Sequence, residues 1–257
     1  MKKAILVVSF GTSFDETREK NIGKLENIIK ENYNDYTVIR AFTSQIVINI
    51  LKKRNIIIQN VDEALKSLIN QGFEEVVIQP THIINGEEFD KMTEQAAKYK
   101  DEFSSFKIGT ALVNSTEDLK YIVEVMAETY PLKEDEAVVF MGHGSKHYSN
   151  IVYPSFNYAF NNMGHKNFFV TTVEGYPTFD DSIADLDGKG FKHIFLLPLM
   201  LVAGDHATND MAGDDETSFK SRLEKIGYKT TPIVKGLGEY KKIQELYIKH
   251  LEKLING

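Results

Sequence analysis

The chain has no cysteine among its 257 residues, which excludes disulfides, thiolate zinc sites, protein-ligated iron–sulfur clusters and a thiol nucleophile together. Any metal it handles must therefore sit on nitrogen and oxygen. It also lacks an excess of positive charge. Lys plus Arg number 30 against 37 Asp plus Glu, and a net charge of −7 argues against general nucleic-acid binding. No apolar run approaches the ~18 residues of a membrane span. Ala4–Val8 follows two lysines, but it is shorter than a signal-peptide core and leads straight into an acidic, helix-like segment. The run reads as the first buried strand of a soluble, cytoplasmic protein that does not engage membranes. Low-complexity stretches and Pro/Gly/Ser-rich linkers are absent too.

What is present is an ordinary globular composition, 42% hydrophobic and 26% charged, with length for one large domain or two small ones. Short apolar runs alternate with amphipathic segments. The runs are Ala4–Ser9, Thr37–Phe42, Glu75–Gln79, Phe106–Val113, Ala137–Met141, Asn167–Val173, His193–Pro198 and Lys229–Val234. Helical patterns cover Glu16–Glu31, Val61–Gln71, Glu88–Glu102, Glu117–Tyr130, Asp181–Lys189, Thr217–Ile226 and Glu239–Ile255. This alternation predicts an α/β fold with parallel sheets flanked by helices.

The sequence is also internally duplicated. AILVVSFGTS (Ala4–Ser13) resembles AVVFMGHGS (Ala137–Ser145), pairing Gly11 with Gly142 at an offset of 131. VVIQPTHIINGEEFDKM (Val76–Met92) lies over IFLLPLMLVAGDHATNDM (Ile194–Met211), so that Pro80 meets Pro198, Gly86 meets Gly204 and Glu88 meets His206 at an offset of 118. The repeat predicts two similar halves, residues 1–130 and 131–257, related by an approximate two-fold and facing one cleft.

Ligands of open α/β sheets bind beyond the carboxyl ends of strands. The polar residues there are Ser9, Thr12, Ser13, Thr43, Ser44, His82, Glu88, His143, Glu174, Asp205 and His206. His143 projects from Gly142-His143-Gly144-Ser145, where flanking glycines allow a tight turn. A lone histidine is usually structural, and His82, His165, His193 and His250 are read that way. His143 and His206 are weighted differently because both fall at ligand-facing strand ends with Glu174. Two imidazoles and a carboxylate suit a divalent first-row metal with open positions. His143/His147 has zincin spacing, but Gly144 breaks the helix that motif requires. Asp205, Asp210, Asp214, Asp215 and Glu216 lack a calcium-loop register and read mainly as a solvated loop. SFGTS lacks the ending of a phosphate loop, and GHGSK is not a hydrolase elbow.

The segments SFGTS, RAFTS, HIINGEE, FMGHGSKH, VEGYP and PLMLVAGDHATNDMAGDD together resemble the anaerobic cobalt chelatases, the sirohydrochlorin cobaltochelatases of the class II chelatase family, over essentially the whole chain. The resemblance implies a two-half, ferrochelatase-like fold and insertion of Co²⁺ into sirohydrochlorin or precorrin-2 on the route to cobalamin. It implies that His143 is catalytic base and metal ligand, His206 the second histidine ligand, also catalytic, and Glu174 the carboxylate ligand. Glu88 matches the family's catalytic glutamate opposite them. No organic cofactor is implied; Co²⁺ enters as a substrate. Fe²⁺ or Ni²⁺ insertion and a non-catalytic carrier are the competing readings, and the sequence leaves the oligomeric state open, a homo-oligomer included.

Overall fold

The computed structural model describes residues 2–257. β1 (Lys3–Ser9), β2 (Thr37–Phe42), β3 (Gln59–Asn60), β4 (Glu75–Pro80) and β5 (Ser105–Ile108) form a wholly parallel sheet in the order β3-β2-β1-β4-β5. β6 (Glu136–Gly142), β7 (Phe168–Thr172), β8 (His193–Pro198) and β9 (Lys229–Pro232) form a second, in the order β7-β6-β8-β9. The inner strands β1 and β6 are fully buried from Ala4 to Val8 and from Ala137 to Met141, which is why they read as unbroken apolar runs rather than alternating ones.

The helices are α1 (Asp15–Arg18), α2 (Lys24–Asn32), α3 (Gln45–Lys53), α4 (Val61–Asn70), α5 (Glu87–Ala97), α6 (Thr116–Thr129), α7 (Val152–Asn162), α8 (Phe179–Leu186), α9 (Phe219–Lys225) and α10 (Lys241–Asn256). A π-helical turn, Glu19–Gly23, joins α1 to α2, and a second spans Ala207–Met211. Starts are set by side-chain caps. Asn60 with Glu63 and Thr178 with Asp181 form capping boxes, and Ser115 accepts the Asp118 N–H. No helix among the described residues is long and apolar enough to cross a membrane.

The chain divides into two compact units, residues up to Asn114 with Gly238–Gly257, and Ser115–Leu237. The boundaries read from the sequence, 1–130 and 131–257, do not coincide with these units, because the helix after the last strand of each sheet belongs to the other unit. α6 follows β5 but packs on α7, and α10 follows β9 but packs on α2 and β5. α10 is fixed to the first unit by buried Ile243, Leu246, Tyr247 and Leu251. The Tyr247 hydroxyl donates to the Thr81 carbonyl (2.8 Å), and Lys107 donates to the Leu254 and Ile255 carbonyls (3.0 and 2.9 Å) at the helix end.

The duplication is visible in the register. Val8 pairs with Pro80, and Met141 pairs with Pro198. The bonds beyond repeat as well. Thr81 N–H donates to Val8 O and Leu199 N–H to Met141 O, then Thr43 to Ser9 and Val173 to Gly142, and finally Ser44 to Phe10 and Glu174 to His143. This register matches Gly11 to Gly144, an offset of 133, and corrects the pairing with Gly142. The physical reason is that Gly11 and Gly144 carry the turn, with φ +99° and +84°, a conformation costly for any other residue. Where the second unit presents His143, Glu174 and His206, the first presents Phe10, Ser44 and Glu88.

Candidate functional site

β6 delivers His143 from the centre of its sheet. Gly142 precedes it because the Tyr153 ring of α7 occupies the space of a side chain there. Backbone hydrogen bonds from His143 and Gly144 reach the Tyr153 hydroxyl; burial nevertheless pushes that hydroxyl up to about 12, so it stays a neutral phenol that holds the turn. A Cβ on Gly144 would stand 2.5 Å from the Gly175 nitrogen and 2.9 Å from the Thr172 Cβ. The 142–145 turn is thus pressed against the turn that follows β7. Asn150 joins the two, its Oδ1 accepting the Ser145 N–H (2.9 Å) and its Nδ2 donating to the Tyr176 carbonyl (2.7 Å). Glu174 stands in that second turn, its N–H donating to the His143 carbonyl (2.9 Å).

His206 opens the π-helical turn after β8, whose Ala207 and Met211 are buried in the core of the unit. The His143 and His206 rings lie 5.0 Å apart between centroids and cross at 82°. His143 Nδ1 is 3.0 Å from the Gly144 carbonyl, and His206 Nδ1 is 2.5 Å from Asp210 Oδ2. Both partners are acceptors, so each Nδ1 carries a hydrogen, and in the neutral imidazole Nε2 then keeps its lone pair. The pair is therefore two neighbouring imidazole bases, each able to take a proton or hold a metal.

The structure brings the two histidines together and ties Glu174 to His143 through the backbone, while the Glu174 side chain is exposed. Among the described residues no three His, Asp or Glu side chains are gathered as a metal-holding group. Glu88 lies in the first unit, in the first turn of α5, with its carboxylate 3.3 Å from Lys91 Nζ. Ser9, Ser44 and Asp205 have structural partners, whereas the buried Thr43 hydroxyl has none. Thr81 donates to Ser9 (2.8 Å), Ser44 caps α3, and Asp205 accepts from Asn209 (2.9 Å). The basic residues near the first strand are committed to ion pairs, Lys20 to Glu16, Arg40 to Glu26 and Glu19, and Arg18 and Arg54 to Asp15. Asp210 is not merely a solvated loop residue of the acidic run after β8, since its carboxylate, four residues from His206, meets the His206 ring.

His82 carries no chemistry of this kind. Its ring nitrogens are buried without hydrogen-bond partners and the ring lies edge-on to Phe89. Burial lowers it from 6.5 to about 4. Between these values the unfolded chain binds a proton that the folded chain does not, so stability is full above the window and falls as pH drops through it. Replacing His82 with Leu is expected to remove up to about 3 kcal/mol of acid sensitivity. Urea midpoints between pH 7 and 4.5 should then vary less than in the parent; an unchanged slope would assign the sensitivity to other groups.

Residues 3–256 match the family model described as Cobalt chelatase (CbiK). A sirohydrochlorin cobaltochelatase of Salmonella typhimurium is 40% identical over 260 residues, covering 100% of this chain and 97% of that protein. The sirohydrochlorin cobaltochelatase CbiKC of Nitratidesulfovibrio vulgaris is 31% identical, covering 100% of this chain and 92% of that one. The fold matches that of SirB from Bacillus subtilis with Fe³⁺ at a TM-score of 0.66 and 15% identity, covering 100% of this chain and 97% of that one. With its two parallel-sheet units and its paired histidines, the chain belongs to the cobalt chelatase (CbiK) family.

Proposed function

We propose that the protein inserts Co²⁺ into sirohydrochlorin, with precorrin-2 as the related acceptor, as a sirohydrochlorin cobaltochelatase of cobalamin biosynthesis. The observation that carries the reading is the His143–His206 pair, with ring centroids 5.0 Å apart and the hydrogen-bond partners on Nδ1 rather than Nε2, in a chain of this family. Insertion exchanges two pyrrole N–H protons for one divalent ion. One Nε2 lone pair cannot hold a metal and accept a proton at once, so two adjacent imidazoles allow the tasks to be divided or alternated. A site with few protein ligands can also surrender its ion, whereas a closed four-ligand site would retain it. Glu174 is assigned to the ion as carboxylate ligand, and Glu88 to proton transfer or ion guidance. Within this reading the reaction is cytoplasmic, and Ala4–Val8, which follows two lysines, is part of the buried strand β1.

The test is insertion into metal-free sirohydrochlorin followed by absorbance, with Co²⁺, Fe²⁺ and Ni²⁺ supplied separately. Acceleration with Co²⁺ over the uncatalysed rate is expected; spectral binding without acceleration would make the protein a carrier. Nitrogen and oxygen donors do not separate these ions by affinity order alone, so all three metals belong in the assay. The carboxylates separate in a second measurement. Glu174→Gln should weaken Co²⁺ binding measured without tetrapyrrole, since an amide is a neutral and poorer ligand. Glu88→Gln should leave that binding nearly unchanged and slow insertion. Equal loss of affinity in both variants would make Glu88 a direct ligand.

A further inference from the structure

We infer that Asp210 is a positioning residue for His206, fixing the imidazole in the tautomer that presents Nε2 as a metal donor and making His206 the stronger donor of the histidine pair. The inference rests on the proposed metal-handling role of that pair. Its basis is the hydrogen bond between His206 Nδ1 and Asp210 Oδ2 at 2.5 Å, spanning the π-helical turn. That turn is anchored from below. Ala207 and Met211 are fully buried, so the residues just before them, His206 and Asp210, are carried together on the same wound segment. Thr208 donates to the Gly204 carbonyl (3.0 Å), and Asn209 donates to Asp205 (2.9 Å), which fixes the turn on either side of the pair.

The two imidazoles are backed differently. The Nδ1–H of His143 meets the neutral Gly144 carbonyl at 3.0 Å, while that of His206 meets a carboxylate. A carboxylate behind a ligating imidazole fixes its tautomer and ring orientation and raises its basicity as a ligand, and loss of such a partner typically lowers metal affinity by ~10–100-fold. Without Asp210 the proton is free to move to Nε2, and the ring then offers the metal a hydrogen instead of a lone pair. The asymmetry assigns retention of the ion to His206 and leaves the carbonyl-backed His143 freer to exchange protons.

The experiment uses the full chain without tetrapyrrole, as Asp210→Ala and Asp210→Asn. Long-range ¹⁵N spectra of labelled histidine are recorded at alkaline pH, where imidazoles are neutral, with His206→Ala identifying the His206 signals. Titration with Co²⁺ alone gives affinity. The parent should show Nδ1 protonated and Nε2 bare. Asp210→Ala should populate the Nε2–H form and bind Co²⁺ ~10–100-fold more weakly. Asp210→Asn keeps a neutral acceptor, so it should retain the tautomer and lose less affinity. An Asp210→Ala protein that keeps the bare Nε2, or binds Co²⁺ within about threefold of the parent, overturns the inference. So does an Asp210→Asn protein with an Nε2–H His206. Neither readout uses the macrocycle, so failure of cobalt insertion in the parent would reject the proposed function while leaving this result legible.

Discussion

Replacing His143 or His206 with alanine is expected to abolish most cobalt insertion while leaving the fold intact. Each substitution removes an imidazole that can serve as general base and as metal donor, and proton transfer alone contributes ~10²–10⁴-fold. Loss of at least about 100-fold in insertion rate is expected from either variant. The two should not multiply when combined, because residues acting as one unit are strongly non-additive. Stability should change little. His143 and His206 are half-buried at strand ends, unlike Leu6 or Phe140, which are wholly enclosed. Absorbance assays with metal-free sirohydrochlorin and Co²⁺, paired with thermal melts, read both quantities. Full insertion by either variant would show that the base or ligand has been misassigned, and wholesale unfolding would make the histidine structural.

Gly144→Ala should damage both stability and activity out of proportion to a single methyl group. Two costs coincide there. The residue has φ +84°, which an L side chain adopts at ~1–2 kcal/mol, and the new Cβ would stand 2.5 Å from the Gly175 backbone nitrogen. Backbone cannot swing aside as a side chain can, so the turns carrying His143 and Glu174 must separate. Gly72→Ala is the matched control, since Gly72 has φ +73° with nothing within 4 Å of the added carbon. Its loss should be confined to the conformational cost of ~1–2 kcal/mol, with insertion unaffected. Gly144→Ala should lose clearly more stability in urea and most of the insertion activity. Equal stability losses and equal activity would mean that the two turns are not as tightly coupled as their geometry indicates.

The legibility of the fold followed burial. Strands enclosed on both faces, such as Ala137–Met141, announce themselves as apolar runs, and amphipathic helices such as α4 and α10 keep their period. Failures came where local composition opposed the outcome. α7 contains Pro154 and a succession of Tyr, Phe and Asn of modest helix propensity, and it was not expected; its tertiary packing of Tyr153, Phe156 and Phe160 prevails. α3 was masked by Ile46 and Ile50, apolar residues that lie exposed and blur its polar face. The apolar run Phe106–Val113 ends as strand at Ile108; Gly109 still donates to the Ile78 carbonyl, but Leu112 and Val113 donate instead to the His82 and Ile83 carbonyls. For the site, residue type and strand-end position were enough to select His143 and His206. The Tyr153 and Asn150 braces depend on which turns abut, and no spacing rule encodes that, whereas the Asp210 contact lies within one turn at a spacing of four that the sequence displays.

The crossing of the chain between the units orders their completion during synthesis. Ser115–Leu237 is one continuous stretch, and it can close around its sheet as soon as its last strand emerges. The first unit is begun earlier but awaits α10, which carries Tyr247 to the Thr81 carbonyl and offers its final turn to Lys107. Until those residues leave the ribosome, the surfaces that Ile243, Leu246 and Leu251 later cover stay exposed to solvent and to other nascent chains. The half translated first is therefore the last to be sealed, and a nascent chain arrested just short of α10 would hold a finished donor-bearing unit beside an open one.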